Sequence, residues 1–406
     1  MSLPPTPDWR QRSSGFNTRV EHVVGRVRSF WQRVTEGLEV EQLWSQFHAD
    51  ARVSYQLYAK EVDWAHVAGE SRGRRAFRIA RALFWAMVMK LTPPRRVLLL
   101  ISFAFLLFPD IEFRYGESGV QIGSGAFRFL GVLGLFVLLA LELADRVIMK
   151  RDLEIAREIQ QWLVPAAPPQ TPGVDIAFAM RPANTVAGDY YDVFLRPSID
   201  DQKTGAPESG TPASANRLLL AVADVAGKSV PAALLMATFQ ASLRTLAALP
   251  SSLAELVYGI NRYACAHSLG GRRFTTAFLT EFDPASRTLT SINAGHNAPV
   301  LRRTSGAIER LEAGGLPLGI KSDASYESTT TTLHPGDLLV VFTDGVVEAE
   351  NEKQEEFGEP RLLELVSGMH AGSAAQSLQV VMGSVDAFVG SARQHDDITC
   401  LVMWVL

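Results

Sequence analysis

The 406-residue sequence is short of cysteine, of long apolar runs and of net charge. Its two cysteines, Cys265 and Cys400, cannot build a disulfide framework, so a reducing compartment is the simplest expectation around them. No uncharged apolar run reaches the roughly 20 residues of a full membrane span, and mean hydropathy is only +0.07. A multi-span transporter is excluded, as are a disordered chain, a collagen and a disulfide miniprotein. There is no internal repeat. No apolar segment lies close enough to the N-terminus to read as a signal peptide. What is present is enough length for two or three domains and 47% apolar residues to fill their cores.

The formal net charge of −4 conceals a split. Residues 1–96 hold sixteen Lys and Arg against nine Asp and Glu, a net +7, which leaves −11 for the rest. The basic excess gathers at Arg72, Arg74, Arg75, Arg78, Arg81, Lys90, Arg95 and Arg96. Two apolar segments follow, Val97–Phe108 (VLLLISFAFLLF) and Phe129–Leu141 (FLGVLGLFVLLAL). Each is short for a span, so a pair of buried core helices competes with a membrane reading. Basic flanks and an acidic connection from Pro109 to Gly119 match the positive-inside pattern of a hairpin with both ends in the cytoplasm. The expectation is therefore a helical cytoplasmic or interfacial region over 1–90 and a two-helix membrane hairpin over 91–143. A coupling helix should follow over 144–164, then a soluble domain over 165–406. The coupling helix carries Ile148, Ile155 and Trp162 at seven-residue intervals, with Ile159 alongside. That narrow stripe suits either a homodimeric coil or docking on the next domain.

After Pro165 the pattern changes to short apolar strands, glycine-rich turns and helical blocks at Pro231–Ala248, Leu253–Leu269, Pro360–Met369 and Ser373–Val389. This predicts an α+β fold with two antiparallel sheets flanked by helices. Aspartates mark the strand ends. Arg217–Val225 closes on Asp224, Leu338–Phe342 leads into Asp344, Asp396 and Asp397 precede the last strand, and Asp189 starts another. Any one of them alone reads as a turn or cap residue. Together, carboxylates at the mouths of buried strands are costly unless a hard divalent cation compensates them, which suits Mn²⁺ or Mg²⁺. They lie 35, 120 and 52 positions apart, so only tertiary structure can gather them.

The colinear run RPANTVAGDYYDVF, LLLAVADVAGKSVPAALLMA, NAGHNAPVL, DLLVVFTDGVVEA and HDDITCLVM resembles the metal-dependent PPM (type 2C) protein phosphatases over about residues 153–406. The likeness is to their bacterial SpoIIE/RsbU-like branch. It implies a PPM-type β-sandwich flanked by helix pairs and two Mn²⁺ or Mg²⁺ ions. Asp189, Asp224, the Val225 carbonyl, Asp344 and Asp396 are the implied ligands, with Asp397 in or near the same shell. It further implies hydrolysis of phosphoserine or phosphothreonine on a protein, by a water that both ions activate. The implied substrate is a STAS-type anti-sigma-factor antagonist, and the implied setting a bacterial cytoplasmic membrane with the catalytic domain in the cytoplasm. His296 is open between general acid and structural residue; Lys228, between solvated charge and phosphate receiver. Gly227, Gly295 and Gly345 read as tight turns. Arg181 does not match the phosphate-holding arginine of eukaryotic relatives, and Ala187 replaces a glycine usual in the branch.

The competing function is a catalytically silent interaction module at the membrane. Its signature would be missing ligands, and all are present. A nucleic-acid role for the basic stretch lacks a recognisable binding motif and is not expected.

Overall fold

The computed structural model describes residues 81, 84–85, 88–107, 111–115, 118–122, 124–197, 217–267, 273–312, 314–370 and 372–406. Residues 1–80, most of the helical region expected over 1–90, lie outside them, as do residues 198–216. The chain divides into two compact units, Met1–Ala144 and Asp145–Leu406.

In the first unit, helix α1 (Pro93–Leu107) is followed by the antiparallel pair β1 (Ile111–Tyr115) and β2 (Ser118–Ile122). Helix α2 then runs unbroken from Ser124 to Leu163. The second apolar segment and the coupling helix are thus one 40-residue rod, because no Gly–Pro break separates them. Small residues bring α1 and α2 together: a Cβ on Gly134 would fall 2.1 Å from Ser102 Oγ, and one on Gly131 2.8 Å from the Ser102 carbonyl. Arg95 pairs with Glu142 at 3.2 Å. Among the described residues, only α2 is long and apolar enough to cross a membrane. At 15 residues α1 rises about 22 Å, less than the roughly 30 Å of hydrocarbon. Leu100, Leu107, Phe129 and Phe136 are exposed.

The second unit is a sandwich of two five-stranded sheets. One has the order β10-β7-β6-β5-β4, built from Thr329–Thr332, Thr288–Ala294, Thr275–Asp283, Arg217–Val225 and Tyr190–Arg196. The other has the order β3-β12-β11-β8-β9, from Val174–Arg181, Ile398–Val405, Leu338–Phe342, Val300–Arg302 and Ile308–Arg310. All pairings are antiparallel. Helices α3 (Val230–Ala247) and α4 (Leu253–His267) cover the first sheet. Beyond a short α5 (Asp344–Val347), α6 (Glu359–Ser367) and α7 (Ala374–Val389) cover the second. The strands and long helices expected after Pro165 form within a residue or two; β9 is an addition.

The central strands are apolar throughout because both faces are buried. In β5, Leu218, Leu220 and Val222 face the opposing sheet, while Leu219, Ala221, Ala223 and Val225 face α3 and α4. In β11, Leu339 and Val341 point inward and Leu338, Val340 and Phe342 meet α6 and α7. In β12, Leu401, Met403 and Val405 point inward. This two-residue alternation decides which polar residues reach the space between the sheets.

Candidate metal centre

Carried along β5 and β12 to Asp224 and Thr399, and one step past β4, β11 and β12 to Asp189, Thr343 and Asp397, the alternation points all five into the sandwich at a single end. Register brings them together. Tyr190 pairs with Ala223, so Asp189 stands opposite Asp224 one position further on. Phe342 pairs with Cys400, and the Thr343 N–H then donates to the Thr399 carbonyl at 3.0 Å. Asp344 opens α5 immediately beyond β11, and Asp396 lies just before β12.

Each carboxylate has a distinct setting. Asp189 is buried, and its Oδ2 accepts hydroxyl hydrogen bonds from Thr399 at 2.6 Å and Thr343 at 2.8 Å. Burial still holds its carboxyl well above the usual range, with Asp224 adding to the effect. Asp224 is pushed up to about 7, by burial first and then by the charges of Asp344, Asp396 and Asp397. Asp344 is raised by burial and by Asp396. Asp397 turns backward: Oδ1 accepts from the Ala183 N–H at 2.7 Å and Oδ2 from the Gly188 N–H at 2.6 Å. It braces the segment that leads into Asp189. Asp396 Oδ2 receives the Lys228 ammonium at 2.7 Å, and its Oδ1 accepts from the Asp397 N–H at 2.9 Å.

Close backbone approach keeps the end of the sandwich compact. A Cβ on Gly345 would lie 1.9 Å from the Asp397 carbonyl oxygen, so that position demands glycine for space rather than for a turn. Gly227 does need its freedom, at φ +121°. The Val225 carbonyl lies beside Gly188, where a Cβ would stand 3.3 Å from it.

The donor chemistry fits a hard divalent ion: carboxylates that raise one another, a backbone carbonyl beside them, and no soft ligand among them. Among the described residues, no three His, Cys, Asp or Glu side chains are already closed into a ligand set. The threonine, backbone and Lys228 contacts hold the carboxylates as neighbours instead. A cavity of about 400 Å³ opens beside Asp396 and Gly345, lined also by Arg181, Lys228, Glu348 and His395. Arg181 is ion-paired with Asp386 there.

His296 is not placed as an acid. It is buried, its Nδ1 lies 3.0 Å from the Thr276 hydroxyl, and burial pushes it down to about 4. An imidazole neutral at pH 7 has no proton of that kind to give. Thr276 pairs with Asp224 across β5 and β6, which makes His296 a support behind the site.

Three contacts escape a reading of motifs. Gln160 of α2 holds both backbone groups of Ala187. Gln394 Nε2 donates to the Asp396 and Arg181 carbonyls at 2.7 and 2.8 Å. Asp192, the second acid of GDYYD, is buried on the opposite parity and bound by Arg244 of α3 through two 2.6 Å bonds. Its signal was a charged residue on a strand face meant for a helix, which requires a cation on that helix.

Comparison with known proteins supplies the lineage. The family model for stage II sporulation protein E (SpoIIE) matches residues 214–405. Phosphoserine phosphatase RsbU of Bacillus subtilis is 28% identical over 257 residues, 63% of this chain and 70% of RsbU. The C-terminal domain is a PPM serine/threonine protein phosphatase domain of the SpoIIE/RsbU-like branch. A second relative, protein IcfG of Synechocystis sp., is 25% identical over 322 residues, 73% of the chain. The chain spans about half the length of IcfG, 48%. Among solved structures, the SiaA PP2C domain of Pseudomonas aeruginosa superposes with a TM-score of 0.53 at 19% identity. It covers 65% of this chain and 99% of that domain, which supports the phosphatase fold.

Proposed function

We propose that this chain is a membrane-tethered protein phosphatase that hydrolyses phosphoserine or phosphothreonine on a regulatory protein. One observation carries the reading. Asp189, Asp224, Asp344 and Asp396 gather at one end of the sandwich, where burial and neighbouring carboxylate charge raise the first three, an arrangement that divalent cations relieve. These four and the Val225 carbonyl are the ligands we assign to two Mn²⁺ or Mg²⁺ ions, with Asp397 behind them. Bound, the ions would supply a water of lowered pKa and neutralise charge on the phosphoryl oxygens. The chain's own work is positional. Thr343 and Thr399 orient Asp189, Asp397 fixes the backbone ahead of it, and Gly345 lets α5 close against the Asp397 carbonyl.

RsbU and RsbP, both of Bacillus subtilis, are named phosphoserine phosphatases. A phosphorylated STAS-type anti-sigma-factor antagonist is the substrate class we assign by that likeness. The tether is α2, whose apolar half would sit in a bacterial cytoplasmic membrane and whose polar half continues to the catalytic domain. The stripe of Ile148, Ile155, Ile159 and Trp162 is exposed, which favours a homodimeric coil. The test is Mn²⁺-dependent phosphate release from a phosphoprotein. Asp224→Asn and Asp344→Asn should each abolish it, and chelation should do the same. Full activity in both variants would overturn the reading.

A further inference from the structure

Lys228 follows β5, the strand that carries Asp224, and reaches across to the loop that precedes β12. Its ammonium lies 2.7 Å from Asp396 Oδ2 and 2.9 Å from the His395 carbonyl. The backbone that carries it is unusual on both sides. Gly227 takes φ +121°, and Ser229, which opens α3, takes φ 64° and ψ −150°, a region that residues with a Cβ rarely enter. The Ser229 side chain makes no capping bond that would hold it there. The side chain of Lys228 is 56% exposed and lines the 400 Å³ cavity, so it has room to leave.

We propose that Lys228 is a tethered cation that competes with the divalent metal for Asp396 and so sets how tightly this site binds its ion. The inference rests on the metal-centre reading above and assigns a new role within it. A lysine ammonium offers one positive charge and hydrogen bonds but no coordination, so a divalent ion displaces it from the carboxylate. The displaced ammonium stays on its loop at the mouth of the cavity, beside the carboxylate it has released. A metal ion therefore gains Asp396 only by breaking an existing ion pair, and its affinity is lowered by that amount. Arg181 lines the same cavity but is paired with Asp386, so it lacks this competition.

The experiment is isothermal calorimetry of the full chain in detergent, titrated with MnCl₂, comparing the parent with Lys228→Met and Arg181→Met. Urea melts confirm that the variants are folded. Lys228→Met should bind Mn²⁺ about fivefold more tightly, the scale expected for removing a partly exposed ion pair. Arg181→Met should stay within about twofold of the parent. Equal tightening in both variants would reduce the effect to the general field, and unchanged or weaker binding in Lys228→Met would refute competition. If the parent itself binds no Mn²⁺, the metal-centre reading fails first, which separates the two outcomes.

Discussion

Gln160, on the last turn of α2, closes a ring of two hydrogen bonds with the backbone of Ala187. Its Nε2 donates to the Ala187 carbonyl at 2.7 Å, and its Oε1 accepts from the Ala187 N–H at 2.9 Å. Ala187 lies two residues before Asp189, and Asp397 grips the intervening Gly188. The helix end is therefore bonded to the segment that delivers a carboxylate to the site. Gln160→Ala should cost about 2 kcal/mol, because it leaves two buried backbone groups without partners. It should also lower turnover more than the lost stability explains. Gln160→Glu keeps the acceptor and should fall between. Urea melts alongside phosphate release decide it, and unchanged turnover in Gln160→Ala would remove any link from the helix to the site.

The raised carboxylates set a pH dependence with a definite sign. A carboxyl whose folded pKa exceeds its unfolded value keeps a proton that the unfolded chain has released. For Asp224 that window runs from the ordinary range near 4 up to about 7. Within it the folded state binds more protons, so this contribution to metal-free stability falls as pH rises. Chelated protein should therefore lose part of its urea resistance between pH 5 and pH 8, and Asp224→Asn should lose less. A variant with the same slope as the parent would refute the assignment.

Gly345→Ala should be severe despite its single added methyl. The new Cβ would overlap a backbone oxygen rather than a flexible side chain. The cost should be about 3 kcal/mol, at the upper end for overpacking, together with loss of Mn²⁺ binding. Thermal melts and Mn²⁺ calorimetry measure the two effects, and parent-like values in both would show that α5 can shift freely.

Arg244 anchors α3 to β4 through Asp192, to which Tyr190 also donates, and its guanidinium stacks 3.9 Å from the Phe194 ring centroid. Arg244→Met would leave a buried carboxylate with the tyrosine as its remaining side-chain donor. We expect a loss of about 2 kcal/mol, discounted for the partial exposure of the arginine. The double variant Arg244→Met, Asp192→Asn should recover part of it. Denaturant melts of the three proteins close the cycle.

Much of the catalytic domain was readable because its strands are buried on both faces. Such strands leave continuous apolar runs, and their ends are punctuated by aspartates. Strand β9 escaped because three residues, Ile-Glu-Arg, carry too little periodicity to stand out. The first unit read less cleanly. Its two apolar segments did form helices, but composition could not show that the second continues unbroken into the coupling helix.

The sequence by itself determined the kind of fold and the lineage, and it singled out the aspartates to which we assign the metal. Alternation and motif are local properties and survive without coordinates. Only the tertiary structure decided what each carboxylate does. Asp189 lies under two threonine hydroxyls contributed by the other sheet, Asp397 grips backbone 209 and 214 positions away, and Asp396 carries the ammonium of Lys228. Those partners are set by cross-strand register and sheet packing. No spacing along the chain encodes them, because side-chain distance across a sandwich is independent of distance in sequence.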